Sequence, residues 1–236
     1  MENNVRCSIV MATYNGEKYI KEQIESILIQ LSDCDELLIS DDGSTDATIS
    51  IIQEYQKNDK RIKLFNGPRN GVKQNFANAI EKCTGEYIFL SDQDDIWAPN
   101  KLEKVLETFK SNRASLVIHD CIVVNDNMDI ISDSFFKLRN SKSGILKNII
   151  KNSYIGCCMA FKRDLKKYIL PIPNKIEMHD QWIGILSENF GEGSVFINHK
   201  LIKYRRHENN VSQMKHYPLI KMIKNRIIFI IYLFLR

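Results

Sequence analysis

A chain of 236 residues, 44% hydrophobic and 26% charged, is long enough to bury about 70% of the surface its unfolded form exposes, which excludes intrinsic disorder, a collagen-like repeat and a disulfide miniprotein. Its 33 Lys and Arg against 29 Asp and Glu sum to +4, too mild to argue for nucleic acid. That charge is uneven: residues 200–236 carry nine basic residues and one acid, +8, leaving −4 for residues 1–199, so an acidic body precedes a basic tail.

The elements alternate from the start. Val5 to Met11 reads as a strand, and Ile20, Ile24, Ile27, Leu28 and Leu31 recur at helical spacing behind it. The same alternation gives a strand at Glu36–Ser40, a helix over Thr45–Lys57 and a strand at Ile62–Phe65. A helix through Val72, Phe76, Ala79, Ile80 and Cys83 follows, then a strand at Tyr87–Leu90, a helix through Leu102, Val105, Leu106 and Phe109, and a strand at Leu116–Val124. Strands alternating with helices of this length imply an α/β fold with a mostly parallel central sheet flanked by helices. After Asn125 the rhythm shortens to a strand around Cys157–Lys162, a helix over Asp180–Asn189 and a strand at Ser194–Tyr204, expected to complete the sheet and cover one face. With no Pro/Gly/Ser-rich linker between the halves, residues 1–216 read as one domain, with halves 1–125 and 126–216, and 217–236 as a basic amphipathic tail.

The six cysteines form no C-x-x-C pair and sit mostly in apolar runs, so they read as buried reduced thiols of a cytoplasmic chain. Met1–Cys7 is too polar for the apolar segment of a signal peptide. Ile227–Leu235, the longest apolar run, is about half of what spans a bilayer. Preceded by Lys221, Lys224 and Arg226, it suits either peripheral contact with an anionic inner leaflet or packing on its own domain or a second subunit.

In an open parallel sheet ligands bind beyond the carboxyl ends of the strands. Those ends here are Ala12-Thr13-Tyr14-Asn15-Gly16-Glu17, Ser40-Asp41-Asp42-Gly43-Ser44-Thr45-Asp46 and Ser91-Asp92-Gln93-Asp94-Asp95-Ile96-Trp97. Each has a plain local reading: an Asx turn with Ser44 or Thr45 capping the next helix, and a turn before the helix that opens near Pro99. Together they gather Asp41, Asp42, Asp92, Asp94 and Asp95 at one edge, where the carboxylates repel unless a cation or hydrogen-bond donors offset them. Hard oxygen ligands suit Mn²⁺ or Mg²⁺, which keep positions for phosphate oxygens. Neither Gly-x-x-x-x-Gly-Lys-Ser/Thr nor Gly-x-Gly-x-x-Gly is present, so a P-loop NTPase and a Rossmann dehydrogenase lose their main support.

Ala-Thr-Tyr-Asn-Gly, Asp-Asp-Gly-Ser-Thr-Asp and Ser-Asp-Gln-Asp-Asp-Ile-Trp, in this order and at these separations, resemble the family 2 glycosyltransferases of GT-A fold, with a Rossmann-like nucleotide-binding half and an acceptor-binding half. The resemblance covers Val5 to about Ser212. It implies that Thr13, Tyr14 and Glu17 line the nucleotide site, that Asp42 bonds the base, that Asp92 lies near ribose and sugar, and that Asp94 binds the divalent metal. Gln93 stands where Ala or Gly is more usual, and Lys73 is either a donor phosphate or base contact or a solvated helix-start lysine. The form Asp-Gln-Asp-Asp-Ile-Trp is similar to a subgroup with many bacterial rhamnosyltransferases, which use a dTDP-sugar. Gly156 and Cys157 resemble the loop against sugar and acceptor, with a plain buried strand as the alternative. His179-Asp180-Gln181-Trp182 stands where the family has Glu-Asp at a helix start, which makes Asp180 the catalytic base and puts His179 and Trp182 beside the acceptor; a helix N-cap is the structural alternative for Asp180. Tyr204-Arg205-Arg206-His207, with Asn210 and Ser212, resembles the closing segment, which implies His207 at the metal and Arg206 on phosphate.

The implied activity is metal-dependent inverting transfer of one sugar from a nucleotide-diphosphate sugar to a glycan or polyprenyl-linked glycan in bacterial surface polysaccharide synthesis. dTDP-L-rhamnose is the donor the subgroup points to, and a UDP-hexose the alternative. The Gln-x-x-Arg-Trp motif of processive synthases is missing. Two rivals are weaker: a non-catalytic nucleotide-sugar binding protein would not need Asp180, and a nucleotidyltransferase would need a Gly-rich basic loop after the first strand.

Overall fold

The computed structural model describes residues 6–208, 210 and 218–236; Val5 of the expected first strand and Ser212 of the closing segment lie outside the described residues. In chain order run β1 (Cys7–Thr13), α1 (Ile20–Leu28), β2 (Asp35–Asp41), α2 (Thr48–Asn58), β3 (Ile62–Asn66), α3 (Val72–Lys82), β4 (Tyr87–Ser91), β5 (Ile96–Trp97) and α4 (Lys101–Ser111). The second half adds β6 (Leu116–Asn125), β7 (Ile130–Ser132), α5 (Phe135–Arg139), α6 (Ile145–Ile150), β8 (Met159–Lys162), α7 (Lys166–Ile169), α8 (His179–Phe190), β9 (Ser194–Arg206) and α9 (Leu219–Phe234), with a 3₁₀ turn at Gly156–Cys158.

The strands join one sheet in the order β3-β2-β1-β4-β8-β6-β9-β5, with β7 on β6. The first half is parallel throughout, β3 to β2, β2 to β1 and β1 to β4, as the strand–helix alternation predicts. Every residue of β1 and β2 is buried, because helices cover both faces of a parallel sheet and central strands become continuous apolar runs. The second half makes the sheet mixed: β8 lies antiparallel between β4 and β6, β9 is parallel to β6, and the two-residue β5 is antiparallel to β9. Neither β5 nor β7 is visible to a periodicity argument, since two or three residues carry no period.

Two pairings position the chemistry. Ile96 faces Lys203 and Trp97 faces Ile202, so the carboxylate loop that ends β4 is held against the end of β9, where Arg205, Arg206 and His207 follow. The insertion of β8 beside β4, with Phe89 facing Ala160, carries the Gly156–Cys158 turn to the same place. One contiguous core runs from Cys7 to Phe229, and five of the six cysteines are buried free thiols, with Cys34 partly exposed.

α8 packs closely on the loop before β8. A Cβ at Gly184 would come within 2.4 Å of the Tyr154 ring, whose hydroxyl donates to Glu188 at 2.5 Å. Gly184→Ala is expected to destabilise the fold by about 1–3 kcal/mol, read as a lower urea midpoint with an unchanged slope.

Candidate active site

The loops after β1, β2 and β4 hold one another before any ligand is considered. Thr13 Oγ1 donates to Asp41 at 2.8 Å, and Asp41 accepts the backbone amides of Gly43 and Ser44 at 3.0 and 2.7 Å, the expected Asx turn. Neither Ser44 nor Thr45 caps α2. Ser44 Oγ instead accepts the Asn15 amide at 2.8 Å, while the amides of Ala47 and Thr48 go to Glu17 and Asp46 at 2.8 and 3.0 Å, which starts the helix later than Thr45. Glu17, assigned to the nucleotide by resemblance, is thus engaged at the N-terminus of α2, where a carboxylate is favoured by the exposed amides.

Asp42 accepts the amides of Asn70 and Gly71 at 3.3 and 2.7 Å, which ties the β2 loop to the start of α3. Gln93 makes a reciprocal pair with the backbone of Tyr14: its Oε1 accepts the Tyr14 amide and its Nε2 donates to the Tyr14 carbonyl, both at 3.0 Å. The Tyr14 ring itself is 56% exposed. A cleft wall of this kind needs the long Gln amide rather than the Ala or Gly more usual there. Lys73 is not a freely solvated lysine: it is half-buried, its Nζ donates to the carbonyls of Asn174, at 2.8 Å, and Ile176, and burial lowers its pKa.

The carboxylates after β4 divide into two groups. Asp94, buried, lies 2.8 Å from His207 Nε2 and accepts from Asn210 Nδ2 at 3.2 Å. The His207 ring stacks on Tyr19 at 4.8 Å, and Arg205 sits 4.7 Å from that same ring while its guanidinium reaches Glu22 at 2.6 Å. On the other side, ligand atoms of Asp92, Asp95 and Cys157 lie within 4.8 Å of one another. Burial, with Asp94 and Asp180 as like-charged neighbours, pushes Asp92 up to about 7. Asp95 is raised well above the usual carboxylate range by burial and by Asp94 and Asp92. Its Oδ1 accepts the Arg205 amide at 3.0 Å, and its Oδ2 is buried without a hydrogen-bond partner among the described residues.

These residues fit a divalent cation. Mutually repelling carboxylates and an orphaned carboxylate oxygen are what Mn²⁺ or Mg²⁺ would satisfy. The Cys157 thiol is raised well above its ordinary range by burial, so it stays protonated and is too soft a ligand for these ions. Asp94, with His207 against it, is the carboxylate that would hold the metal, and Asp92 and Asp95 add negative charge beside it.

Asp180 lies on the first turn of α8, whose N-cap is Met178, so it is not the cap. The residue is 8% exposed; its Oδ1 accepts from Asn152 Nδ2 at 3.1 Å and from the Gln181 amide at 2.5 Å. Burial raises its pKa to about 6. His179 beside it stacks on Phe76 at 4.3 Å, and neither ring nitrogen has a hydrogen-bond partner among the described residues. Burial lowers its pKa to about 3, so it is neutral. A Cβ on Gly156 would stand 2.9 Å from His179 Nε2, which is why a glycine occupies the turn against α8. Trp182 faces the core: its indole N–H donates to the Ile169 carbonyl at 2.9 Å and its ring packs edge-on to Phe229 of α9, because two residues, about 200° of helix, separate it from Asp180.

The family model "Glycosyl transferase family 2" matches residues 8–169. The chain belongs to glycosyl transferase family 2. It is 29% identical over 212 residues to the putative teichuronic acid biosynthesis glycosyltransferase TuaG of Bacillus subtilis, covering 88% of this chain and 82% of that protein. Over 211 residues it is 30% identical to the UDP-Glc:alpha-D-GlcNAc-diphosphoundecaprenol beta-1,3-glucosyltransferase WfgD of Escherichia coli, covering 88% and 80%, and over 244 residues 28% identical to the dTDP-rhamnosyl transferase RfbG of Shigella flexneri, covering 92% and 80%. Among solved structures, S. aureus TarS 1–349 in complex with UDP-GlcNAc superposes with a TM-score of 0.75 at 18% identity, over 96% of this chain and 66% of that one. The mannosyltransferase PcManGT of Pyrobaculum calidifontis, in complex with GDP-Man and Mn²⁺, gives 0.62 at 19% identity, over 82% and 55%. These neighbours establish the GT-A fold, and the chain spans less than two thirds of their length.

The family 2 match ends before α8 and β9, so Asp180 and His207 stand on geometry in the folded chain. Several contributors escaped sequence reasoning. Asn152, the amide on Asp180, lies in an irregular stretch with no period to mark it. Lys101 is buried with its Nζ on the Cys157 carbonyl at 2.8 Å and 3.7 Å from the Trp97 ring centre; burial lowers its pKa to about 8. A lysine at the apolar start of α4, next to Leu102, was the available signal. Arg206 Nη1 donates to the Tyr204 hydroxyl at 3.1 Å.

Proposed function

We propose that this family 2 glycosyltransferase moves one sugar, with inversion, from a nucleotide-diphosphate sugar to a hydroxyl of a glycan or polyprenyl-linked glycan in bacterial surface polysaccharide synthesis. The observation that carries the reading is the convergence at one sheet edge of two different kinds of carboxylate: the repelling set Asp92, Asp94 and Asp95, suited to a cation on a diphosphate, and the separately buried Asp180, suited to a base. Residues 1–125 would take the donor and 126–216 the acceptor, and residues 217–236 would rest on the inner face of the cell membrane.

In this reading Thr13, Tyr14, Asp42 and Gln93 shape the nucleotide cleft. Asp94 and His207 would hold Mn²⁺ or Mg²⁺, with Asp92 toward ribose and sugar and Arg206 toward phosphate. When bound, the ion supplies Lewis-acid stabilisation of the departing diphosphate. Asp180, ionised above about pH 6, accepts the acceptor hydroxyl's proton at its free carboxylate oxygen while Asn152 and the Gln181 amide hold the other. Gly156 leaves room beside His179, whose neutral ring supplies an uncommitted donor and acceptor to the acceptor side.

dTDP-L-rhamnose is the donor we propose, supported by the Asp-Gln-Asp-Asp-Ile-Trp segment and by the similarity to RfbG. The name of WfgD favours UDP-glucose as a second reading. A panel of nucleotide sugars with Mn²⁺, read as nucleoside diphosphate release without acceptor, is expected to single out dTDP-L-rhamnose. Consumption of a UDP-hexose alone would replace it, and no release from any donor would count against the transferase reading.

A further inference from the structure

Helix α9 has two unlike faces. On the inner one Phe229 is buried against Trp182 and Asn225 donates to Glu177 at 2.8 Å; at the edge between the faces, about 60° from both Phe229 and Ile223, Arg226 Nε donates to the Ile150 carbonyl at 3.0 Å. On the outer one Ile220, Ile223, Ile227, Ile231 and Phe234 recur every three or four residues as a single stripe, each between 48% and 85% exposed. Packing on the domain and an exposed apolar surface are therefore both true of this helix, on opposite sides.

The stripe does not stand alone. Arg226 joins α9 to α6, where Leu146 and Ile150 are 78% and 64% exposed. Residues 139–151 contain four Lys or Arg and no acid, and residues 219–236 again four and no acid. Exposed apolar side chains set among basic ones match hydrocarbon beneath anionic headgroups. No helix among the described residues is long and apolar enough to cross a membrane, so the surface suits contact rather than insertion.

We propose that α6 and α9 together form one docking face for an anionic bilayer. This rests on the membrane contact proposed for the tail and adds α6 to it, which ties the docked surface to the chemistry: Ile150 lies two residues before Asn152, whose amide holds Asp180. An amphiphilic acceptor anchored in that bilayer then meets the enzyme beside its base.

Removing α9 would uncover Trp182, so the test uses exposed positions in the full chain. Flotation with phosphatidylcholine vesicles, with and without phosphatidylglycerol, is measured for the parent, for Leu146→Glu with Ile150→Glu, and for Ile220→Glu with Ile227→Glu. The parent is expected to float with anionic vesicles and not with neutral ones, and each pair of substitutions to lower the bound fraction at least about tenfold, with donor hydrolysis unchanged. Loss of binding in the α9 pair with none in the α6 pair would leave the tail contact standing and overturn the composite face. A parent that ignores anionic vesicles overturns both, as does a dimer in solution that these substitutions dissociate without vesicle binding; the transferase reading is scored separately by donor hydrolysis.

Discussion

Asp180→Asn is expected to lower kcat by about 10²- to 10⁴-fold, the usual contribution of a positioned general base, while leaving donor affinity within about twofold. The amide keeps the shape and still accepts from Asn152 and the Gln181 backbone, so a stability loss cannot account for the effect. The parent's pH profile supplies an independent reading. A base with a pKa of about 6 is ionised at pH 7.5 and protonated at pH 5, so kcat/KM falls tenfold per pH unit below about 6, and Asp180→Asn loses that limb. Wild-type turnover in the variant, or an unchanged acid limb, would remove Asp180 from the role. The sign for stability is opposite: because the folded pKa lies above the ordinary carboxylate value, the folded state binds the proton more tightly, and this group's contribution diminishes as pH rises from about 4 through 6.

The second large effect concerns Asp94. Asp94→Ala is expected to abolish Mn²⁺-dependent donor binding, at least a 10²-fold loss in calorimetry, since even groups that only support a metal ligand typically carry 10- to 100-fold in affinity. His207→Ala should produce the same loss in milder form, because its ring meets Asp94 Oδ2 at 2.8 Å. Unchanged Mn²⁺-dependent affinity in Asp94→Ala would shift the metal to the neighbouring Asp92 and Asp95 pair, whose ligand atoms lie within 4.8 Å of each other and of Cys157. The two carboxylate groups of one loop are thus separable by experiment.

Much of the fold is legible in the sequence because its signals are local. Strands β1 to β4 and helices α1 to α4 each carry a complete apolar period, and all appear within a few residues of where the periodicity puts them. Their parallel order follows from the lengths of the connecting helices. What periodicity does not reach is the pairing of short segments far apart in the chain: β5 with β9, and β8 between β4 and β6. Those pairings exist because backbone groups at a sheet edge need partners, a demand that residue types in a two-residue strand do not announce.

The candidate site divides in the same way. Residue chemistry alone brought out the carboxylates after β2 and β4, because acidic side chains gathered at strand ends have few purely structural uses; Asp180 and His207 came from the resemblance to the family's motifs. Side-chain partners were out of reach. Lys73 turned toward the carbonyls of Asn174 and Ile176, Glu17 toward α2, and Trp182 into the core, each where its polar atoms find a partner and its apolar atoms leave water. Asn152 and Lys101 entered the site from segments with no motif.

By itself the sequence determined which chemistry is available: an α/β scaffold, an acidic strand-end cluster, a separate carboxylate at a helix start and a basic apolar tail. The tertiary structure decided which of those groups meet. Asp94 with His207, Asp180 with Asn152, and Ile150 of α6 with Arg226 of α9 are contacts between residues 113, 28 and 76 positions apart. Such contacts depend on where the whole sheet and its covering helices place each chain segment, which no local spacing encodes.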